Sequence, residues 1–518
     1  MVRSSVAINR ALPGKIAAAL VAAIVLGTLV AVALRAEAGR GLGPAEWSAI
    51  RFTVFQAVLS AAFSVLLAIP VARALARRRF YGRRLLISLL GAPFILPVIV
   101  AVMGLLAVFG RSGILNETLR ALGLPEVSIY GLHGVVLAHV FFNLPLATRL
   151  VLQGWQDIPS ERFRLAAQLG FGPRDIFRTL EAPMLARTLP GAAAIIFAIC
   201  LSSFAVALTL GGGPRATTVE LAIYQAFRFD FDLGRAALLS CVQIALVGAA
   251  ALVALKLSNR DGFGTGLDRT VQRWDAQNTL LRALDTTTIT FAALFLILPI
   301  ALVILRGAPA LTDLPTSVWS AALASLLIAL ASTILMLALA LPIAIAAGTG
   351  RARLEAIGLL GIAASPLVIG TGLFIVINPI ANPFALALPV TATVNAIMAL
   401  PFALRIMVPA VRDTHANYDR LSTSLNLTGL SWLRLLLIPR LRPNLGFACG
   451  LTAAMSMGDL GVIALFADPQ TATLPLQMYR LMGAYRMELA SGAAVLLLAL
   501  SFGIFWIFDK GGRAHADA

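Results

Sequence analysis

A chain of 518 residues that is 59% hydrophobic and 13% charged, with a mean hydropathy of +0.90, carries more apolar surface than a soluble core can bury. The net charge of +17 would suit nucleic acid. Its placement in short segments between apolar runs instead encodes orientation in a membrane, so no nucleic-acid partner is expected.

Apolar runs of roughly 20 residues, long enough to cross about 30 Å of hydrocarbon as helices, lie near 16–34, 52–74, 85–109, 131–152, 190–209, 234–256, 286–305, 319–346, 356–379, 387–408, 444–466 and 487–508. They are continuous, without the period-2 alternation of barrel strands, so the expected fold is an all-α polytopic membrane protein of about twelve spans. The first run is longer than a signal h-region and lacks a small-residue cleavage site before Glu37, so it is expected to stay as a helix. Arg77, Arg78, Arg79, Arg83 and Arg84 read as a topology anchor able to touch anionic lipid. With Met1 in the cytoplasm, 30 of the 41 Lys and Arg fall in cytoplasmic segments, and both termini are expected on that side.

The fourth span runs into a duplicated segment. Leu144 to Pro183 aligns without a gap on Leu400 to Pro439 at a constant spacing of 256, with eleven of forty positions identical. The chain therefore reads as two homologous six-helix halves, 1–260 and 286–518, joined by a mixed-charge linker over 261–285 containing Gly262, Gly264 and Gly266. Upstream the spacing slips, as Leu96-Pro97-Val98 pairs with Ser365-Pro366-Leu367. The surplus of about 13 residues in the first half lies in the external stretch Arg111 to Tyr130, where a short surface helix is expected over Asn116 to Leu122.

Within the first copy (156–187), good helix formers from Arg164 through Leu165, Ala166, Ala167 and Leu169 end at Gly170, a residue that can take positive φ. A second helix is expected from Arg174 to Ala182, and Leu165, Leu169, Phe177 and Leu180 can make one apolar face. The second copy (412–443) repeats this with Arg420, Leu421, Ser422, Leu425, Asn426 and Leu433. Asn also tolerates the left-handed conformation, so the turn is expected in both copies. Such a helix suits a groove on a partner protein or the surface of a bilayer. Duplication at identical spacing favours the partner.

After the fifth span, Gly211-Gly212-Gly213-Pro214 cannot continue a helix. Glu220, Asp230 and Asp232 with Arg228 are expected in an external loop, where they can dock a soluble protein or simply be solvated. Cys200, Cys241 and Cys449 all fall in spans and the four His have no ligand spacing, so neither disulfides nor a metal site is expected. Asn143 and Asn395 read as interhelical hydrogen-bonding residues. Asp459 is the charge that stands out within a span. Two readings fit it: a carboxylate beside Met455 and Met457 on the path of a cationic solute, opposite Ser202, Ser203 and Phe204 of the first half, or the cap of a helix broken at Gly458 and Gly461.

The duplicated segment resembles the cytoplasmic coupling motif, the "EAA" loop, of binding-protein-dependent ABC importer permeases. Gly170, Phe177, Leu180 and Pro183 stand at the spacing of that motif, and Leu433, Leu436 and Pro439 repeat it with Asn426 at the glycine position. Arg164 and Arg420 replace the family's Glu, and Glu161 lies nearly one turn earlier. The resemblance implies the type I (MetI-like) permease fold in a bacterial inner membrane. It also implies two ABC ATPase subunits that hold the ATP and Mg, no cofactor or catalytic residue in this chain, and a periplasmic binding protein. Among fused permeases, Leu208 to Ala226 and Leu474-Pro475 with Gly483 to Met487 are similar to the thiamine subfamily, with ferric iron importers as the alternative. A secondary transporter would also carry two repeats, but no duplicated coupling helix. The chain has no Walker-type phosphate loop.

Overall fold

The computed structural model describes residues 11–37, 39, 41–91, 95–213, 216–257, 278–466 and 472–513. Every regular element among them is helical. The first half contains α1 (Leu12–Arg35), α2 (Pro44–Arg77), α3 (Arg83–Leu89), α4 (Val98–Phe109), α5 (Ile114–Ala121), α6 (Leu132–Gln156), α7 (Ser160–Gln168), α8 (Pro173–Ile176), α9 (Ala182–Leu201), α10 (Ala205–Leu210), α11 (Val219–Arg228) and α12 (Leu233–Leu257). The second contains α13 (Thr279–Gly307), α14 (Thr316–Gly348), α15 (Gly358–Ala363), α16 (Pro366–Ile377), α17 (Ala387–Ser424), α18 (Gly429–Trp432), α19 (Ile438–Met457), α20 (Gly461–Phe466), α21 (Leu474–Gly483) and α22 (Met487–Arg513).

Eleven helical stretches among the described residues are long and apolar enough to cross a membrane, and Pro366–Ile377 is a shorter apolar helix. Continuous helices were expected near 85–109, 190–209, 356–379 and 444–466, and all four are interrupted. The causes are local. Pro97 and Pro366 disfavour the helical conformation in the residue before them, and Ser365 caps the restart by accepting from the Val368 amide at 3.2 Å. In the other pair, Ser202 to Phe204 and Gly458 to Leu460 separate α9 from α10 and α19 from α20. Of the expected linker, 261–277 with its three glycines lies outside the described residues, and α13 already begins at Thr279.

The two halves exchange their first helices. α1 packs on α14 and α16 of the second half, while α13 packs on α4 and α2 of the first. The approach of α4 to α13 requires a residue without a side chain: a Cβ on Gly104 would stand 2.7 Å from the Pro299 carbonyl oxygen. At the end of α13 that adjoins α2, Asp285 is buried and receives Arg77 Nη2 at 2.6 Å and Arg78 Nε at 2.7 Å. This corrects the expected lipid role of those two arginines: their charge is spent on joining the halves. The expected external helix is present as α5, held by Asn116, whose Nδ2 donates to the Gly110 and Val127 carbonyls at 2.8 and 2.9 Å.

Candidate functional site

In the first copy, Ile158 and Pro159 end α6, and α7 starts afresh at Ser160. Phe163 and Ala166 face inward, whereas Arg164, Leu165, Ala167 and Leu169 are exposed, Leu165 at 56% and Leu169 at 61%. Glu161 lies exposed in the first turn of α7, where a carboxylate complements the helix dipole, and accepts from Ser160 Oγ at 3.0 Å. The helix stops in a Schellman turn: Gly170 takes φ +69°, and the Phe171 amide reaches back to the Ala166 carbonyl at 3.0 Å. α8 follows from Pro173, anchored by the fully buried Ile176, with Phe177 41% exposed. The expected apolar face is therefore turned outward from the bundle.

The second copy reaches the same turn by another route. His415 occupies the place of Pro159, so nothing breaks the helix and α17 runs unbroken from the membrane core to Ser424. Asn426 takes φ +50°, and the Leu427 amide bonds the Ser422 carbonyl at 2.8 Å, as in the glycine copy. Leu421 and Leu425 are exposed at 49% and 60%, Arg420 is exposed, and Ser422 is buried. Trp432, at the place of Ile176, is the buried anchor, and Leu433 is half-buried. These two anchors are absent from the sequence-based expectation, although their apolar character six residues after each turn was a usable signal.

Both copies rejoin the bundle through a π-helical turn, Phe177–Glu181 and Leu433–Leu437. Pro183 and Pro439 explain it. A proline has no N–H for the carbonyl four residues back and its ring crowds that carbonyl, so the ladder shifts to five-residue bonds. The Ala182 amide bonds the Phe177 carbonyl, and the Ile438 amide bonds the Leu433 carbonyl.

At the helix breaks in the membrane region, Ser202 and Ser203 are half-buried and Phe204 is buried, its ring 5.2 Å from that of Tyr224. At the matching break of the second half Met455 and Asp459 are half-buried, while Met457 is fully buried in packed core. Asp459 Oδ1 accepts from the Gly461 amide at 3.2 Å and so caps α20. Each half also carries a buried polar node at matched positions. Ser60 Oγ and His139 Nδ1 lie 3.2 Å apart, and Asn143 Nδ2 donates to Cys200 Sγ at 3.3 Å. In the second half Ser332 and Asn395 converge on Ser456, each at 3.0 Å. Such bonds join helices where no water can.

One expected external residue moves inside. Glu220 is fully buried, with Gln243 Nε2 donating to its Oε1 at 2.8 Å, because α11 folds back into the bundle. Asp230 remains half-exposed beside Arg235 at 3.4 Å. Among the described residues no group of three or more His, Cys, Asp or Glu could hold a metal ion.

No family model matches the chain. It is 39% identical over 523 residues to a thiamine transport system permease protein of Brucella abortus, an alignment covering 98% of this chain and 96% of that protein. A thiamine transport system permease protein of Escherichia coli is also 39% identical, over 518 residues and 96% of each chain. A molybdenum transport system permease protein of Mycobacterium bovis is 31% identical over 244 residues, matching 89% of its length with 46% of this chain. That half-length match accords with a chain built of two permease units. Two copies of one helix-turn segment, two sets of broken helices and an alignment running nearly end to end have one common source: the chain belongs to the family of thiamine transport system permease proteins.

Proposed function

We propose that this chain is the transmembrane permease of an ATP-driven importer that carries thiamine from a periplasmic binding protein to the cytoplasm. The observation that carries this reading is the 39% identity to thiamine permeases along almost the whole chain. It favours thiamine over the ferric iron alternative. The chain lies in the bacterial inner membrane with both termini cytoplasmic, the orientation that puts most of its Lys and Arg inside.

Two ABC ATPase subunits, holding ATP and Mg, seat on α7 with its turn and on the end of α17 with its turn. The exposed leucines and arginines there form the contact: Leu165, Leu169, Arg164 and Phe177 in one copy, Leu421, Leu425 and Arg420 in the other. Closure of the ATPase pair moves these segments, and the bundle alternates between outward-open and inward-open forms. Thiamine, an aromatic cation, passes between the breaks at Ser202, Ser203 and Phe204 and at Met455 and Asp459, where a carboxylate and soft or aromatic neighbours favour it. Met457 supports that path from behind.

The deciding experiment reconstitutes the chain with its ATPase and binding protein and compares uptake of labelled thiamine, thiamine phosphates and ferric iron. ATP-dependent thiamine uptake is expected. Iron uptake without thiamine uptake would overturn the reading. Gly170→Asp and Asn426→Asp test the docking role separately: each is expected to insert normally and lose coupled ATP hydrolysis, and unchanged transport in both would remove that role.

A further inference from the structure

Glu181, the last residue of the first π turn, is wholly buried, and a buried carboxylate persists only where something compensates it. Arg73, near the end of α2, brings Nε to 2.7 Å from Glu181 Oε2. Trp155 Nε1 on α6 donates to Glu181 Oε1 at 3.3 Å. The same arginine's guanidinium carbon stands 5.4 Å from the ring centroid of Phe177, the first residue of the turn. One side chain of α2 thus grips both ends of the π turn.

The matching positions of the second half carry no such arrangement. At the 256-residue spacing, Glu181, Trp155 and Phe177 become Leu437, Val411 and Leu433. α2 matches α14 at a spacing of 272. Pro70 pairs with Pro342, and Thr53, whose Oγ1 accepts from the Val219 amide at 2.8 Å, pairs with Ser325, whose Oγ accepts from the Leu474 amide at 2.8 Å. On that register the residue matching Arg73 is Ile345. All four positions of the charged tie are apolar in the second copy, and Leu437 is fully buried.

We propose that Arg73 and Glu181 are positioning residues for ATP coupling: they fix the first docking element to α2, so that movement of the ATPase seated there is transmitted through this ion pair. The second element is transmitted through apolar packing at the matching positions. The inference rests on the reading of the duplicated segments as ATPase docking elements. Its physical basis is the cost of separating a buried pair, since pulling either partner away strands the other charge. Apolar neighbours slide past one another at smaller cost, so the first socket is the stiffer of the two.

The test uses the full chain with its ATPase and binding protein in proteoliposomes, measuring thiamine taken up per ATP hydrolysed. Glu181→Gln and Arg73→Met are each expected to lower that ratio about fivefold, with the ATPase still copurifying. The double variant Arg73→Ile with Glu181→Leu places the second half's own residues in the first. It is expected to fold and bind the ATPase, because no charge is left unpaired, yet to keep the low ratio. Single variants within about twofold of the wild-type ratio, or a double variant that restores it, would overturn the proposal. If the singles do not fold, the double alone decides on the same criterion. A wild-type chain without ATP-driven thiamine uptake would instead overturn the functional reading beneath it.

Discussion

At the residue scale the two left-handed turns show what a single position controls. Gly170 and Asn426 both take positive φ, and no atom lies within 4 Å of where a Cβ on Gly170 would stand. Gly170→Ala therefore meets only backbone strain, about 1 kcal/mol, and is expected to weaken ATPase binding about fivefold in a pull-down titration. Asn426→Gly relieves the milder strain of its own copy and is expected to leave binding equal or tighter. The left-handed turn was legible in both copies because glycine and asparagine are the residues that accept it. Glu220 was not legible: an acid among polar neighbours reads as a surface residue, and only the return of α11 into the bundle buries it against Gln243. Gln243→Leu, which removes one donor from that carboxylate and leaves Ser365 as another, is expected to cost about 1–3 kcal/mol and to lower the unfolding temperature in detergent.

At the element scale, one proline divides helices where others are carried inside them, as Pro401 and Pro409 are in α17. Pro159 separates α7 from α6, and His415 lets α17 run on, so two segments that align without a gap form different elements. His415→Pro is expected to break α17 at that point, measurable as a gain in proteolytic cleavage between Thr414 and Ala416 with little loss of membrane insertion. The asymmetry was readable from the aligned pair, since proline at one site and histidine at the other predict a break and its absence. The π turns were less readable. Pro183 and Pro439 announce a disturbed ladder, but whether a helix kinks, ends or admits a five-residue bond depends on the packing around it. The four broken spans teach the same lesson: hydropathy reports where chain is apolar, and apolar chain stays continuous across a helix break.

At the scale of the whole molecule, each half lends its first helix to the other. α1 lies on α14 and α16, α13 lies on α4 and α2, and Asp285 locks that second exchange between Arg77 and Arg78. Two predictions follow from the exchange. Chains ending at residue 257 and beginning at residue 258, made together, are expected to copurify and transport, because α1 on α14 and α16, and α13 on α4 and α2, already join the halves. Asp285→Ala leaves the buried Arg77 and the half-buried Arg78 without their shared carboxylate, a loss of about 3–5 kcal/mol, and is expected to reduce the amount of folded protein recovered. Recovery at the wild-type level would show that solvent or lipid reaches those arginines.

The amino-acid sequence by itself determined the class, the duplication, the apolar stretches and the two left-handed turns. Each rests on information local in the chain: hydropathy over a helix length, identity at a constant spacing, residues that tolerate positive φ. Tertiary structure alone decided which charged and polar groups face one another. Arg73 with Glu181, Arg77 with Asp285 and Gln243 with Glu220 are separated by 108, 208 and 23 residues. Their pairing is set by how helices cross, because in an apolar surrounding a charge is stable only where the fold brings its partner.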